Sequence, residues 1–247
     1  GVRFFYNSRV DEILVKDRAA IGIKVKERVL PYDRVISNMD VYYTYERLLP
    51  REKKPTRILN QPKSSSVIAF YWGVKGTHPE LDIHNMLFTR DEHQEYSTVF
   101  EGGNISNDPS VYLCITSKHV KSDAPTGSEN WFALVTAPND QNQDWEEIIS
   151  RTRKNVISKV NRMLSVDIEP LIEFEDMLAP PLIKQRYSSA FGAIFGNSSN
   201  NKFAAFLRHP NFSRRIKGLY FAGGTVHPGA GIPMCLNSAK IIDKVFH

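Results

Sequence analysis

The stretch that decides the fold runs from Gly218 to Phe246 and reads GLYFAGGTVHPGAGIPMCLNSAKIIDKVF. Leu219 to Ala222 form a short apolar run, expected as a strand. Gly223-Gly224-Thr225 begin a turn, and Pro228-Gly229-Ala230-Gly231 continue it. Ile232-Pro233 opens a helix, because a proline in the first turn gives up only an N–H that has no intrahelical partner. Leu236, Ala239, Ile242 and Val245 or Phe246 are its expected buried side.

This strand–glycine turn–helix device has a chemical consequence. Glycines let main-chain N–H groups approach a ligand without a Cβ in the way. The helix start adds about half a positive charge. Together they suit an anionic or electron-rich group. Phosphate is one candidate. The N1/C2 edge of a flavin, which gains negative charge on reduction, is another. A plain tight turn ending a buried strand is the alternative. The spacing matches neither a GxGxxG nor a P-loop pattern. His227, inside the turn, is expected either to serve the site or to hold the turn by a side-chain hydrogen bond.

Working outward, the opening residues also read as β. Val2 to Tyr6 and Val10 to Val15 are expected strands. Ala19 to Lys26 alternates at Ile21, Ile23 and Val25, with Lys24 and Lys26 facing away. Val35-Ile36 ends another strand. Ser37-Asn38 offers a helix cap, and Val41 to Leu49 is an expected helix closed by Pro50. Residues 51–62 are basic and proline-bearing, which marks a connection between domains. Four β-rich runs follow (Ser66–Val74, Asn85–Thr89, Val111–Thr116, Trp131–Ala137). Polar loops and no helices separate them, so the spacing predicts an antiparallel sheet.

The clearest helix carries Trp145, Ile148, Ile149, Val156, Val160, Met163 and Leu164 on one stripe, with Arg151, Lys154 and Lys159 largely off it. Asp144, Glu146 and Glu147 place negative charge at its positive end. Leu171 to Phe174 is an expected strand, and residues 176–185 a proline-interrupted segment.

The 247 residues are 41% hydrophobic and 24% charged, with a net charge of +5. That balance argues against disorder and coiled coil. The basic residues are scattered and form no nucleic-acid module, so no nucleic-acid partner is expected. Cys114 and Cys235 are too far apart for a CxxC knuckle and suit a reducing, cytoplasmic compartment as free thiols. No His pair has metal-ligand spacing, so no metal is expected. No apolar run reaches the roughly 18 residues of a spanning helix. Gly-x-Ser-x-Gly is absent, and the residues assign no general base; the catalytic residues stay unknown.

Residues 218–233, GLYFAGGTVHPGAGIP, are specific enough to carry a resemblance. The chain resembles the bacterial-type phytoene desaturases, FAD-dependent carotenoid desaturases of the flavin amine oxidase superfamily. Ser64 to Asn85 (SSSVIAFYWGVKGTHPELDIHN), Tyr187-x-x-x-x-Gly192-Ala193-Ile194-Phe195-Gly196, Arg208-His209-Pro210-Asn211 and Val35 to Asp40 (VISNMD) agree with it. The family opens with a dinucleotide-binding βαβ unit. This sequence carries no such unit, so the expectation is a C-terminal half that is colourless and inactive alone.

The resemblance implies an α/β to α+β architecture in three stretches. Residues 1–47 and 216–247 would belong to a discontinuous FAD-binding domain, and 48–215 would form a substrate domain on an antiparallel sheet with helices. Gly223, Gly224, Thr225, Pro228, Gly229, Gly231, Ile232, Pro233 and Met234 would contact FAD. Phe70, Trp72, Phe191 and Phe195, with Phe203 and Phe206, would line a tunnel for a carotenoid or other apolar polyene, with plain core as the alternative for each; Tyr187 would face the flavin or substrate, with its hydroxyl capping a backbone carbonyl as the alternative. Thr225 stands where amine oxidases commonly place Asp, which argues against an amine. Retinol saturase, carotenoid isomerase, amine oxidase or a non-catalytic lipid-binding or interaction module of the same fold remain alternatives. A lipid-soluble substrate implies peripheral membrane association, with Arg51, Lys53, Lys54 and Arg57 as candidate headgroup contacts.

Overall fold

In a computed structural model, which describes residues 1–198 and 207–246, the chain divides into two compact units. The first comprises residues 1–64, 188–190 and 195–247; the second comprises residues 65–187 and 191–194. The first division between the units falls after Ser64, and Leu59 packs in the first unit's core with Val41, Tyr45 and Leu49.

The first unit opens with an antiparallel meander, β1 (Glu12–Lys16), β2 (Ala19–Val25) and β3 (Arg28–Pro31). Val2 to Tyr6 is not a strand. Val2, Phe4, Phe5 and Tyr6 are exposed, and no partner strand pairs with them among the described residues. Residues 28–31 form β3, a strand that the reading of the opening residues did not include. A bulge between Leu14 and Val15 shifts the register, so Ala20 is buried and Ile21 is not.

β4 (Val35–Ser37) lies parallel to β10 (Leu219–Phe221), with Val35 opposite Leu219, Ile36 opposite Tyr220 and Ser37 opposite Phe221. The start and end of the chain therefore share one small sheet. Helix α1 (Val41–Tyr43) continues as a wider turn over Thr44–Leu48. Its cap is Asp40, whose Oδ1 accepts the Tyr42 N–H at 2.8 Å, rather than Ser37 or Asn38. Burial raises the Asp40 pKa above the usual carboxylate value, opposed by the Ala190 and Tyr42 N–H groups it accepts. A short helix α2 (Thr56–Leu59) interrupts the expected connection.

The second unit is a five-stranded antiparallel sheet in the order β6 (His84–Leu87), β7 (Val111–Cys114), β8 (Ser128–Ala137), β5 (Ser66–Lys75), β9 (Ile172–Leu178). Alternation in β5 and β8 puts Ile68, Phe70, Trp72, Val74, Trp131, Ala133 and Val135 on one face. That face joins Trp145, Ile148, Val156, Ile157 and Val160 of α4 (Trp145–Leu164) in one core. Asp144 caps α4 by accepting the Glu147 N–H at 3.1 Å. Two readings of the α4 stripe need correction. Met163 is exposed, and Lys159 is buried. The Lys159 Nζ donates to the carbonyls of Phe88 (2.9 Å) and Pro109 (2.6 Å) and pairs with Asp108 at 2.9 Å. Those acceptors offset the desolvation of its charge.

Helix α3 (Glu92–Phe100) lies between β6 and β7, against the expectation that no helices separate the β-rich runs, and β9 runs on to Leu178 before α5 (Pro180–Tyr187). The opposite sheet face carries Tyr71 and Phe132, with ring centroids 5.4 Å apart, and Tyr112, edge-on to Phe132 at 6.4 Å.

Candidate functional site: the glycine turn before the last helix

The turn between β10 and α6 (Ile232–Phe246) is built by specific contacts within the first unit. The Gly223 N–H donates to Ser238 Oγ at 2.8 Å, and Ser238 donates to the Cys235 carbonyl at 2.6 Å. Gly223 has φ +113, and a Cβ there would meet Asn38 Nδ2 at 2.9 Å. Asn38 in turn donates to the Ala222 carbonyl at 3.1 Å. Gly224 packs against Ala230 and Cys235. Thr225 Oγ1 accepts the Val41 N–H at 3.1 Å, so its hydroxyl serves the start of α1. A cis peptide bond joins His227 to Pro228.

His227 is exposed and is held by its main chain. Its N–H donates to the His209 carbonyl at 2.9 Å, and its own carbonyl accepts from Asn211 Nδ2 at 2.7 Å. Asn211 is buried and also donates to the Phe221 carbonyl. The His209 Nδ1 faces the Pro210 carbonyl at 2.7 Å, which can only accept, so Nδ1 carries the proton. Nε2 then accepts from the Tyr45 hydroxyl at 3.1 Å. Burial lowers the His209 pKa to about 4, and the ring is neutral at pH 7.

The first turn of α6 is open. Gly231 has φ +101, and a Cβ there would meet nothing within 4 Å. Ile232 is 79% exposed and Met234 is 45% exposed. Pro233 is also exposed. The buried side of α6 is Ser238 and Ile242, with Cys235 partly covered, while Leu236, Ala239 and Val245 are exposed. The expected stripe was therefore displaced around the helix. Apolar residues occupy several sides of α6, so periodicity alone does not select one.

The aromatic candidates separate sharply. Phe70 and Trp72 are 1% and 2% exposed, stacked on each other in the second unit's core. Tyr187 is 67% exposed in the second unit, and Phe191 is partly buried there with φ +59. Phe195 belongs to the first unit and is 48% exposed. Phe203 and Phe206 lie outside the described residues. Of the basic quartet, Lys54 pairs with Glu46 at 2.7 Å and Arg51 approaches Glu12 at 3.9 Å, while Arg51, Lys53 and Arg57 are all exposed. Among the described residues no group of three or more His, Cys, Asp or Glu is placed to hold a metal. Cys114 and Cys235 are free and partly buried.

Sequence reading missed Ser238 and left the role of Arg208 unassigned. Both are buried polar residues beside the turn. The signal was present for Arg208, which opens the motif Arg208-His209-Pro210-Asn211.

A glycine turn feeding an open helix start, beside a parallel strand pair, leaves main-chain N–H groups and the positive helix end accessible. Residues 1–241 match the flavin-containing amine oxidoreductase family. The chain belongs to that family, whose cofactor is a flavin.

Among curated relatives, it is 45% identical over 241 residues to the 1-hydroxycarotenoid 3,4-desaturase of Flavobacterium sp. strain P99-3, covering 98% of this chain and 49% of that protein. It is 33% identical to the phytoene desaturase of Fusarium fujikuroi, covering 98% and 47%. It is 32% identical to the 4,4'-diaponeurosporene oxygenase of Staphylococcus aureus strain MRSA252, covering 99% and 50%. The chain thus spans about half the length of these relatives.

Two solved structures share the fold. Reduced UDP-galactopyranose mutase matches with TM-score 0.55 and 14% identity, covering 99% of this chain and 48% of that one. Cyclohexylamine oxidase from Brevibacterium oxydans IH-35A matches with TM-score 0.53 and 13% identity, covering 97% and 49%.

Proposed function

We propose that this chain is part of an FAD-dependent carotenoid desaturase, in which residues 223–234 hold the isoalloxazine end of the cofactor. The observation that carries the reading is the open start of α6. The missing Cβ of Gly231 faces empty space, and Gly231, Ile232 and Met234 are exposed, so N–H groups at the positive helix end are unobstructed. That donor set fits an edge that becomes electron-rich. FAD, when bound, supplies the two-electron acceptor for removing hydrogens from a CH–CH unit.

The chain's own residues supply position and polarity. Ser238 and Asn38 fix the turn through Gly223 and the Ala222 carbonyl. Tyr187, Phe191 and Phe195 remain the candidates for contact with an apolar polyene, because they keep accessible or partly accessible aromatic surface. Phe70 and Trp72 act through the core of the second unit. Identity of 45% to a 1-hydroxycarotenoid 3,4-desaturase supports a carotenoid substrate over an amine.

Among the described residues no helix is long and apolar enough to cross a membrane. A lipid-dissolved substrate would be reached by peripheral association, with Arg51, Lys53 and Arg57 as exposed cations of the quartet. The 247-residue chain alone is expected to retain little FAD, because no dinucleotide-binding βαβ pattern is present in it.

The test is product analysis with the family-length protein. Incubation with phytoene, and separately with a 1-hydroxycarotenoid, should lengthen the chromophore and shift absorption to the red. A shortened chromophore would indicate a saturase, and an unchanged formula with altered geometry an isomerase. A family-length protein that binds no flavin would overturn the reading.

A further inference from the structure

Beneath the glycine turn lies a buried cation. Arg208 Nη1 donates to the carbonyls of Phe195 at 3.1 Å and Gly224 at 3.2 Å, and Nη2 donates to the Asn197 carbonyl at 3.3 Å. Its side chain also lies close to Gly229, where an added Cβ would stand 3.3 Å from Nε and 3.5 Å from Cζ. One guanidinium therefore bonds the turn at Gly224, fills the space beside Gly229, and ties the turn to residues 195–197.

That second segment is itself anchored. Asn197 accepts from Lys63 Nζ at 2.7 Å and donates to the Ile58 carbonyl at 3.1 Å, and the Phe195 N–H donates to Ser64 Oγ at 3.0 Å. A planar five-donor fork suits carbonyls presented from separate directions, whereas a lysine offers one compact point charge. Burial lowers the Arg208 pKa, yet a guanidinium stays protonated at neutral pH.

We propose that Arg208 is a positioning residue for the flavin site, holding the Gly224–Gly229 turn against the Phe195–Asn197 segment and setting a positive charge beneath it. The inference rests on the flavin reading of the turn. It gives Arg208 two separable duties. The fork sets the shape of the turn, and so the affinity for flavin. The charge favours the reduced, more electron-rich cofactor, and so raises its midpoint potential.

The experiment measures flavin affinity and midpoint potential in the family-length protein and its variants. Arg208→Gln loses both duties: the Kd for flavin rises at least tenfold, and the reduced form loses about tenfold in relative binding, a shift of about 30 mV to the negative for a two-electron couple. Arg208→Lys keeps the charge and loses the fork, so affinity falls while the potential stays near wild type. Gly229→Ala keeps the charge but also strains the turn itself, because φ at Gly229 is +145, so only its potential is diagnostic: it stays near wild type, which keeps the test intact if Arg208→Gln does not fold. A purely structural arginine would lower thermal stability while leaving the potential of retained flavin unchanged in all three variants, and that result overturns the proposal. Equal potential shifts in Arg208→Lys and Arg208→Gln overturn it as well. A wild-type protein that takes up no flavin instead overturns the functional reading on which it rests.

Discussion

Ser238 accepts the main-chain N–H of Gly223 at 2.8 Å, and so a serine on the second turn of α6 holds the beginning of the turn that leads into that helix. The same hydroxyl donates to the Cys235 carbonyl, and the side chain is fully buried. Ser238→Ala would leave the Gly223 N–H without this acceptor. The expected loss is about 1–3 kcal/mol of stability. Chemical denaturation should show a lower midpoint with an unchanged slope; a midpoint equal to wild type would contradict the assigned role.

His209 makes the first unit sensitive to acid. Its folded pKa is about 4, against an ordinary 6.5, because burial disfavours the charged ring. Above pH 6.5 both folded and unfolded chains carry it neutral, and the Tyr45 contact is intact. Between about pH 6.5 and 4 the unfolded chain binds a proton that the folded one refuses, so stability falls as pH falls. The loss approaches about 3 kcal/mol and levels off below pH 4. Stability measured against pH should decline less steeply in His209→Gln over that window. Parallel curves for the two proteins would show that His209 does not carry the dependence.

Core and surface aromatics should part company under truncation. Phe70→Ala removes a buried ring stacked on Trp72 and should cost about 3–5 kcal/mol. Tyr187→Ala, on an exposed ring, should change stability by no more than about 0.5 kcal/mol. If Tyr187 contacts the polyene, its variant will instead raise KM in the family-length enzyme. A large fall in melting temperature for Tyr187→Ala would reverse the assignment.

Gly231→Leu tests the open helix start. The side chain has room, but φ +101 suits glycine, so the turn is strained and the donor face is covered at once. Flavin absorbance near 450 nm, roughly where free flavin absorbs, should be lost from the purified family-length variant. The second unit's near-ultraviolet spectrum should persist. Full flavin retention would remove Gly231 from the site.

Much of this was legible because local pattern and tertiary packing agree. β5 is an apolar run bounded by polar segments, β8 buries every second residue, α4 carries a stripe and a capping Asp144, and the β10–turn–α6 device is written in its glycines and Pro233. Elsewhere local pattern misled. Val2 to Tyr6 has β-forming residues, yet pairs with no strand among the described residues. α3 buries one apolar residue, Val99, so its stripe is too thin to read. Lys159 looked like a surface charge because no sequence period reveals three oxygens from distant loops. The contacts that make the turn, from Ser238, Asn211 and Arg208, depend on which carbonyls the fold brings near, and residue type alone does not state that.

The parallel pairing of β4 with β10 has a consequence for synthesis. Asn38 and its partner Ala222 are 184 positions apart. At roughly 5–20 residues per second, the ribosome takes on the order of 10–40 s to make what lies between. Residues 65–187 emerge as one continuous run in that interval and can collapse first. The early strand β4 must wait with an unsatisfied edge until residues 219–221 have been made, and through that interval the edge is open to wrong pairing.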